Sequence, residues 1–267
     1  MPRTWSSALV TGASSGIGRA MARQLAAEGT GLVVVARDTA RLEELAKEIA
    51  GASTTAPSVD VEVEVLTADL ADPTQLADVE ARLRDAGRPV DLLVNNAGFG
   101  TYGPFADLSI DGEEREIRVN VLAVVRLAHA ALGAMRERGS GTILNVSSVA
   151  GLQATPGNAT YGATKAFVAS FSEALHEETL GSGVQVSMVL PGFTRTEFQE
   201  RAGIGGRKIP SFAWQDAETC ARQALDAARS NKPFFVPGLL NRTAAATLDL
   251  LPRGLTRRAA ARFAQRL

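Results

Sequence analysis

Thr11-Gly12-Ala13-Ser14-Ser15-Gly16-Ile17-Gly18 joins a short apolar run, Ser7–Thr11, to a stretch with apolar residues at helical spacing, Ile17–Glu28. Glycines at such a junction let the chain turn tightly and bring backbone N–H groups close to an anion at the helix N-terminus. The spacing is G-x-x-x-G-x-G rather than the commoner G-x-G-x-x-G. Taken alone, the loop fits either a pyrophosphate cradle or a plain structural turn. What lies on either side of it decides the fold.

Outward from the loop, short apolar runs alternate with longer stretches of three- and four-residue apolar spacing. Strands are predicted over Ser7–Thr11, Gly31–Ala36, Val61–Thr67, Asp91–Asn95, Gly141–Ser147, Val184–Leu190 and Pro233–Val236. Helices are predicted over Ile17–Glu28, Ala40–Ala50, Pro73–Asp85, Glu113–Arg136, Thr160–Leu180 and Asp216–Ser230. Several strands are apolar throughout, as strands covered on both faces must be. Regular strand–helix alternation implies right-handed crossovers. The expected architecture is therefore α/β: a single doubly wound Rossmann-type domain, its parallel seven-stranded sheet flanked by helices on both faces. Gly51–Asp60, rich in Ser, Thr and Ala, reads as a surface loop.

The 267 residues are 45% hydrophobic and 21% charged, which excludes wholesale disorder and suits one large α/β domain. A formal net charge of −1 argues against nucleic-acid recognition across the surface. One cysteine, Cys220, excludes an internal disulfide framework, and with only two histidines no metal site is expected. His129, His176 and Cys220 read as packing or interface residues. No signal-peptide pattern precedes the first strand, and the longest charge-free stretch, between Arg138 and Lys165, is too rich in Gly, Ser, Thr and Asn to span a bilayer. A cytoplasmic location is expected.

The charge is unevenly spread. Residues 241–267 carry six arginines against Asp249 alone, a net of +5 that leaves an acidic body in residues 1–240. The division expected is thus a cofactor-binding and catalytic domain over 1–240 and a basic amphipathic helical tail over 241–267, broken at Pro252-Arg253-Gly254. Such a tail can dock on the acidic body of its own or a partner subunit, or make peripheral contact with an anionic membrane surface.

Past the second strand the chain reads Ala36-Arg37-Asp38. A cation there suits a ribose 2′-phosphate and an acidic residue a 2′-hydroxyl. Arg37 can clamp a phosphate bidentately, whereas a shift in register makes Asp38 the ribose acceptor; NADP(H) is favoured over NAD(H). Asp69-Leu70 follows the third strand, where it can meet an adenine amine, and Asn95-Asn96-Ala97-Gly98 follows the fourth. Both lie at carboxyl ends of strands, where open α/β sheets bind ligands, although Asn and Gly also mark ordinary turns.

Tyr161-Gly162-Ala163-Thr164-Lys165 places a phenol and an ammonium four residues apart, on one face of a predicted helix. A free phenol titrates near ~10, too high for efficient proton exchange at neutral pH, and a neighbouring cation favours the phenolate. Ser148, just past the fifth strand, can hydrogen-bond a substrate oxygen. Asn120, on the long preceding helix, can hold a water that links Lys165 to solvent.

With these residues in this order, the chain resembles the short single-domain branch of the short-chain dehydrogenase/reductase family. Thr11–Gly18, Asp69, Asn95–Gly98, Asn120, Ser148, Tyr161, Lys165 and Pro191-Gly192 follow its order and spacing over roughly residues 6–200. The resemblance implies an NADP(H)-dependent oxidoreductase interconverting a ketone or aldehyde and an alcohol by hydride transfer. Tyr161 is then general acid in reduction and base in oxidation. Ser148 orients the carbonyl, Asn120 supports the proton relay, and Lys165 binds the nicotinamide ribose while tuning Tyr161. The cofactor is lined by Gly12, Ser14, Ser15, Gly16, Ile17, Gly18, Arg37, Asp69, Leu70, Asn96, Ala97 and Gly98. Pro191, Gly192, Thr194 and Thr196 join them from the loop after the sixth strand, with Thr196 near the pyrophosphate. A homodimer or homotetramer is also implied.

Two other classes stand beside this reading. A nicotinamide redox-sensing protein without turnover is opposed by the presence of all four catalytic residues. An isomerase or epimerase using bound cofactor is opposed by the short C-terminal region. On the substrate side, residues 196–216 combine Gly203, Gly205 and Gly206 with Phe198, Ile204, Phe212 and Trp214, a composition that suits a mobile lid. With Phe99, Tyr102, Leu152 and Phe193 they predict an apolar pocket for an apolar or extended small-molecule carbonyl or alcohol.

Overall fold

The computed structural model describes residues 4–53, 61–154, 156–203 and 211–250, with Gly254 and Arg258. In chain order its elements are β1 (Ser7–Thr11), α1 (Gly16–Ala27), β2 (Gly31–Ala36), α2 (Thr39–Ser53), β3 (Val63–Thr67), α3 (Pro73–Arg84) and β4 (Leu92–Asn95). Then come α4 (Ile110–Ile117), α5 (Val124–Arg138), β5 (Gly141–Val146), α6 (Ala159–Glu178), β6 (Val184–Val189), β7 (Thr194–Arg195) and α7 (Phe198–Arg201). The chain continues through β8 (Gln215–Asp216), α8 (Ala217–Arg229), β9 (Phe234–Phe235) and α9 (Leu239–Leu250).

Seven strands pair in the order β3-β2-β1-β4-β5-β6-β9, every neighbour parallel. The strand order switches direction between β1 and β4, and that crevice is where a doubly wound sheet holds its ligand. The apolar strands follow from burial on two sides. Ala8, Val10, Leu32, Val34, Leu92, Val94 and Leu144 face a core layer completed by α1 and α8. Their neighbours Leu9, Val33, Val35, Leu93 and Ile143 face a second layer completed by α3 and α5. Small residues on α1 (Ala20, Ala22, Ala26) and α8 (Ala221, Ala224, Ala228) lie buried in the first layer, letting those helices approach closely. Pro73 opens α3, and Asp72 caps it by accepting from the Thr74 and Gln75 amides at 2.8 and 3.0 Å.

Three expectations are corrected. The single helix expected over Glu113–Arg136 begins earlier and contains a π-helical turn, Arg118–Ala123, between α4 and α5. A widened turn of this kind cannot be read from 3.6-residue periodicity, and it recurs at functional sites. The whole stretch Ile110–Arg138 is long and apolar enough by composition to cross a membrane, yet Leu127, Ala128, Ala131 and Met135 bury it against the sheet. The surface loop expected over Gly51–Asp60 is helical at its start, because α2 runs on to Ser53; residues 54–60 lie outside the described ones. Finally, α9 crosses the division drawn at 240/241. Its Ala245 is buried with Met188, Leu190 and Val236, so the first turns of the expected tail pack on the body. Most of residues 251–267 lie outside the described ones.

Candidate active site

The ends of β1 and β4 are stitched together. The Thr11 hydroxyl accepts from the Asn96 and Ala97 amides, both at 3.0 Å, and donates to the Val94 carbonyl at 3.1 Å. Asn96 Nδ2 returns a bond to the Thr11 carbonyl at 2.9 Å. This leaves no room for side chains on the glycine loop. A Cβ at Gly18 would lie 2.4 Å from Asn96 Nδ2 and 2.5 Å from the Gly12 carbonyl oxygen, and one at Gly16 (φ 55°) would lie 2.9 Å from Thr196 Cγ2. Ser14, Ser15, Gly16 and Ile17 are half-buried at the start of α1, whose first turn is not capped by the Ser15 side chain. Bare backbone and a helix N-terminus at the sheet's switch point fit the pyrophosphate of a dinucleotide.

At the adenosine end Arg37 is exposed just past β2. Asp38 is turned toward α2, where it accepts from the Arg41 amide at 3.1 Å and pairs with Arg41 Nε at 3.5 Å. Asp69 accepts from Arg115 Nη2 at 2.5 Å and from the Ala71 amide at 3.0 Å. Burial works to raise its carboxyl, but those bonds and the charges of Arg115 and Arg37 hold it below the ordinary carboxylate range. The Leu70 side chain is buried in the second core layer, and Asn96 Nδ2 is engaged by the Thr11 carbonyl.

The nicotinamide end is built where β5 and β6 stop beside α6. Ser148 Oγ accepts from the Ala150 amide at 3.1 Å, starting a short 3₁₀ turn, and lies 3.5 Å from the Pro191 carbonyl. Its hydroxyl also acts on the nearby Tyr161 phenol, favouring loss of the phenolic proton. One helical turn on, Lys165 Nζ donates to the Val146 carbonyl at 2.9 Å and sits 5.7 Å from the centre of the Tyr161 ring. Asn120, fully buried in the π-helical turn, donates from Nδ2 to the Phe99 carbonyl (2.8 Å) and Thr164 Oγ1 (3.1 Å) and accepts the Phe99 amide at 3.2 Å. Its side chain thus ties the loop after β4 to α6. Gly98 in that loop packs close to both partners: a Cβ there would lie 3.0 Å from Asn120 Oδ1 and 3.3 Å from Lys165 Nζ.

Burial rules the protonation of this pair. Desolvation lifts the Tyr161 phenol to about 12 against the opposing bond from Ser148, and lowers the Lys165 ammonium to about 8. The expected pull of Lys165 on Tyr161 toward the phenolate is therefore outweighed within the protein itself. Instead the residue whose charge reaches both is Glu116, which periodicity alone did not mark. Its position four residues before Asn120, on the same helical face, was the available signal.

On the substrate side, β7 pairs with β8 and closes the base of the 196–216 excursion. Phe198, first residue of α7, packs on Tyr161 with ring centres 5.4 Å apart, and Phe193 meets Trp214 at 5.7 Å. Gly203 is described, whereas Ile204, Gly205 and Gly206 are not. Sequence reasoning also missed Asn241 of α9, whose amide lies 2.4 Å from where a Cβ at Gly192 would stand. It missed Arg41 too, whose Nη1 reaches both Glu197 oxygens at 2.8 and 2.9 Å. Thr194 is buried, its carbonyl accepting from Gln199 Nε2 at 2.9 Å. His176 meets the Val186 carbonyl at 2.7 Å and Cys220 is buried in the core, both structural placements.

Comparison with known proteins gives concordant results. A family profile described as short chain dehydrogenase matches residues 6–204. Sulfoacetaldehyde reductase 2 of Chromohalobacter salexigens is 37% identical over 222 residues, 82% of this chain and 84% of that protein. A short-chain dehydrogenase from Sphingobium yanoikuyae, solved in complex with NADPH, superposes with a TM-score of 0.83 at 39% identity, covering 94% of each chain. The bulky-bulky ketone specific alcohol dehydrogenase from Comamonas testosteroni superposes with a TM-score of 0.79 at 33% identity, covering 95% of this chain and 94% of that one.

Proposed function

The chain belongs to the short-chain dehydrogenase family, and from that premise we propose that it is an NADP(H)-dependent reductase of apolar or extended ketones and aldehydes. It is an oxidoreductase acting between C=O and CH–OH; cofactor preference, substrate class and the roles of individual residues are the proposal. The observation that carries it is the convergence of half-buried Ser148 at the end of β5 with buried Tyr161 and Lys165 one helical turn apart on α6, the ammonium 5.7 Å from the centre of the phenol ring.

Gly16, Gly18 and the first turn of α1 would hold the pyrophosphate, Arg37 the 2′-phosphate, and Lys165 the nicotinamide ribose. When bound, the nicotinamide supplies or accepts a hydride. In reduction Ser148 donates a hydrogen bond to the substrate carbonyl oxygen, and Tyr161 gives that oxygen its proton as charge develops there. The high value of the phenol keeps Tyr161 protonated and ready to donate at neutral pH. In oxidation the same group must first lose its proton, so alcohol oxidation gains as pH rises.

Support for NADP(H) comes from Arg37 and from the turning of Asp38 toward Arg41, and the Sphingobium relative binds NADPH by its own description. Support for an apolar substrate comes from Phe198 against Tyr161, from the Phe193–Trp214 pair and from the bulky-bulky ketone specificity of the Comamonas relative. A homo-oligomer is supported by exposed Ile117, Leu122 and Phe167. Ile117 and Phe167 line a groove of about 480 Å³ between the π-helical turn and α6. The deciding experiment is an NADPH-oxidation screen over apolar ketones, aldehydes and quinones, repeated with NADH. Turnover of polyanionic carbonyl compounds alone would reject the substrate class, and equal efficiency with NADH would reject the cofactor preference.

A further inference from the structure

Behind the catalytic pair lies a group of polar side chains that the mechanism does not use. Glu113 and Glu116 sit on one face of α4, and both are almost wholly buried. Glu116 Oε2 accepts from the Thr101 amide at 2.9 Å. The Thr101 hydroxyl lies 3.0 Å from that same oxygen and 2.5 Å from Glu113 Oε1. Glu113 Oε2 accepts from the hydroxyl of Thr160, a half-buried residue next to Tyr161. The second oxygen of Glu116, Oε1, is buried with no hydrogen-bond partner.

Counting protons makes this arrangement informative. The Thr101 hydroxyl has one hydrogen and cannot donate to two carboxylates at once. With both acids ionised, one of its contacts would set lone pair against lone pair inside the protein. One proton shared across the cluster removes that conflict, as in any pair of carboxyls held close together. The hydroxyls make the path continuous from Glu116 through Thr101 and Glu113 to Thr160.

Resting on the reductase reading above, we propose that Glu116 is a positioning residue for the reaction: held by Thr101, whose neighbour Gly100 packs on the Tyr161 ring, its carboxyl exchanges a proton with solvent along the Thr101–Glu113–Thr160 chain, and its charge modulates the protonation of Lys165 and Tyr161 on top of their burial. No bond other than O–H changes in this exchange. The proton leaves one carboxyl oxygen of Glu116 and is carried to solvent by successive shifts along the hydroxyl–carboxyl chain, and uptake is the reverse. The charged and titratable groups that reach Glu116 are Glu113 on α4 and, from α6, Lys165 and Tyr161. Burial lifts Glu116 to about 7 against the Thr101 bonds; Glu113 lifts it further and Lys165 opposes. At neutral pH it is thus near half-ionised. Its anionic form raises both Lys165 and Tyr161, because a negative charge disfavours loss of a proton from either.

The sign of the coupling gives a signature that a merely structural role lacks. Glu116→Gln keeps an oxygen to accept the Thr101 amide but carries no charge. In this variant the alkaline limb of carbonyl reduction, set by Lys165 near 8, and the pH at which alcohol oxidation rises, set by Tyr161, should both move down, each by about one unit. Below about pH 6 the variant and parent should coincide, since Glu116 is then neutral in both. Glu113→Gln removes an anion that holds the proton on Glu116, so Glu116 should ionise at lower pH and the profiles with and without Glu116→Gln should part there.

The coupling is read directly, without turnover, by following the Lys165 side chain in NMR titrations of the free protein. Its midpoint should fall by about one unit in Glu116→Gln. An unchanged Lys165 midpoint, or two limbs that move in opposite directions, would overturn the proposal. A fallen midpoint in a protein that reduces no carbonyl compound would uphold the coupling and reject the reductase reading. If Glu116→Gln does not fold, the Lys165 titration in Glu113→Gln decides: removing that anion should make Lys165 sense the charge of Glu116 at lower pH, and no change would reject the coupling.

Discussion

The two ends of the cofactor crevice are built on opposite principles. At the expected nicotinamide end, Tyr161, Lys165, Asn120 and Glu116 are all at most 9% exposed, and desolvation dominates the protonation of Tyr161, Lys165 and Glu116. At the expected adenosine end, Arg37 and Asp38 are exposed and Arg41 is half-exposed, so charges are screened and pairs contribute little. On the function proposed above, the buried groups would move the proton and the exposed ones would choose between cofactors with modest energies.

The sharpest way to break this comparison is Tyr161→Phe. Losing a general acid costs about 10²–10⁴-fold in kcat, while NADPH affinity, measured by fluorescence titration, should change little. Retained turnover would remove the buried end from the chemistry altogether.

Next comes a stability measurement at the same end. Glu116 holds its proton up to about 7 in the folded protein against an ordinary 4.5. Its folded value is the raised one, so between those pH values the folded state binds more protons than the unfolded one. The stability it contributes is present below 4.5 and is lost as pH rises through about 7. Denaturant unfolding should show the parent losing stability relative to Glu116→Gln across this window. A parallel course for the two proteins would mean that Glu116 is not desolvated as described.

At the exposed end, Arg37→Ala should reduce kcat/KM for NADPH by about 10–100-fold, the worth of a charge-assisted hydrogen bond. NADH should be nearly unaffected, and the NADPH deficit should shrink at high salt. An equal loss with both cofactors would show that Arg37 shapes the loop rather than reading the 2′-phosphate.

The two ends were also unequally legible. Strands β1 and β2 were predictable to the residue because each is an apolar run bounded by turn residues, and the glycine loop between β1 and α1 announced itself by spacing. Tyr161 and Lys165 were visible as a helical pair. What stayed hidden depended on contacts between segments far apart in sequence. The π-helical turn at Asn120 obeys no periodicity, and Glu113 and Glu116 become unusual only when Thr101 and Thr160 close over them. The direction of the Asn96 side chain was hidden in the same way, because Thr11 on another strand sets it, and so was the Arg41 partner of Asp38.

The smallest effect tests whether the ends communicate. Arg41 on α2 bonds both oxygens of Glu197, the residue after Thr196, which itself touches Gly16. Glu197 also pairs with Arg201 on α7, where Phe198 covers Tyr161. A solvent-screened pair of this kind contributes little to stability, so Arg41→Ala should leave unfolding nearly unchanged. Its effect should fall instead on the placement of α7 over Tyr161: substrate KM rising about two- to fivefold, with kcat and Tyr161 protonation unchanged. A shift in the pH profile of Arg41→Ala would show that the exposed end does reach the buried chemistry, and the separation drawn between the two would fail.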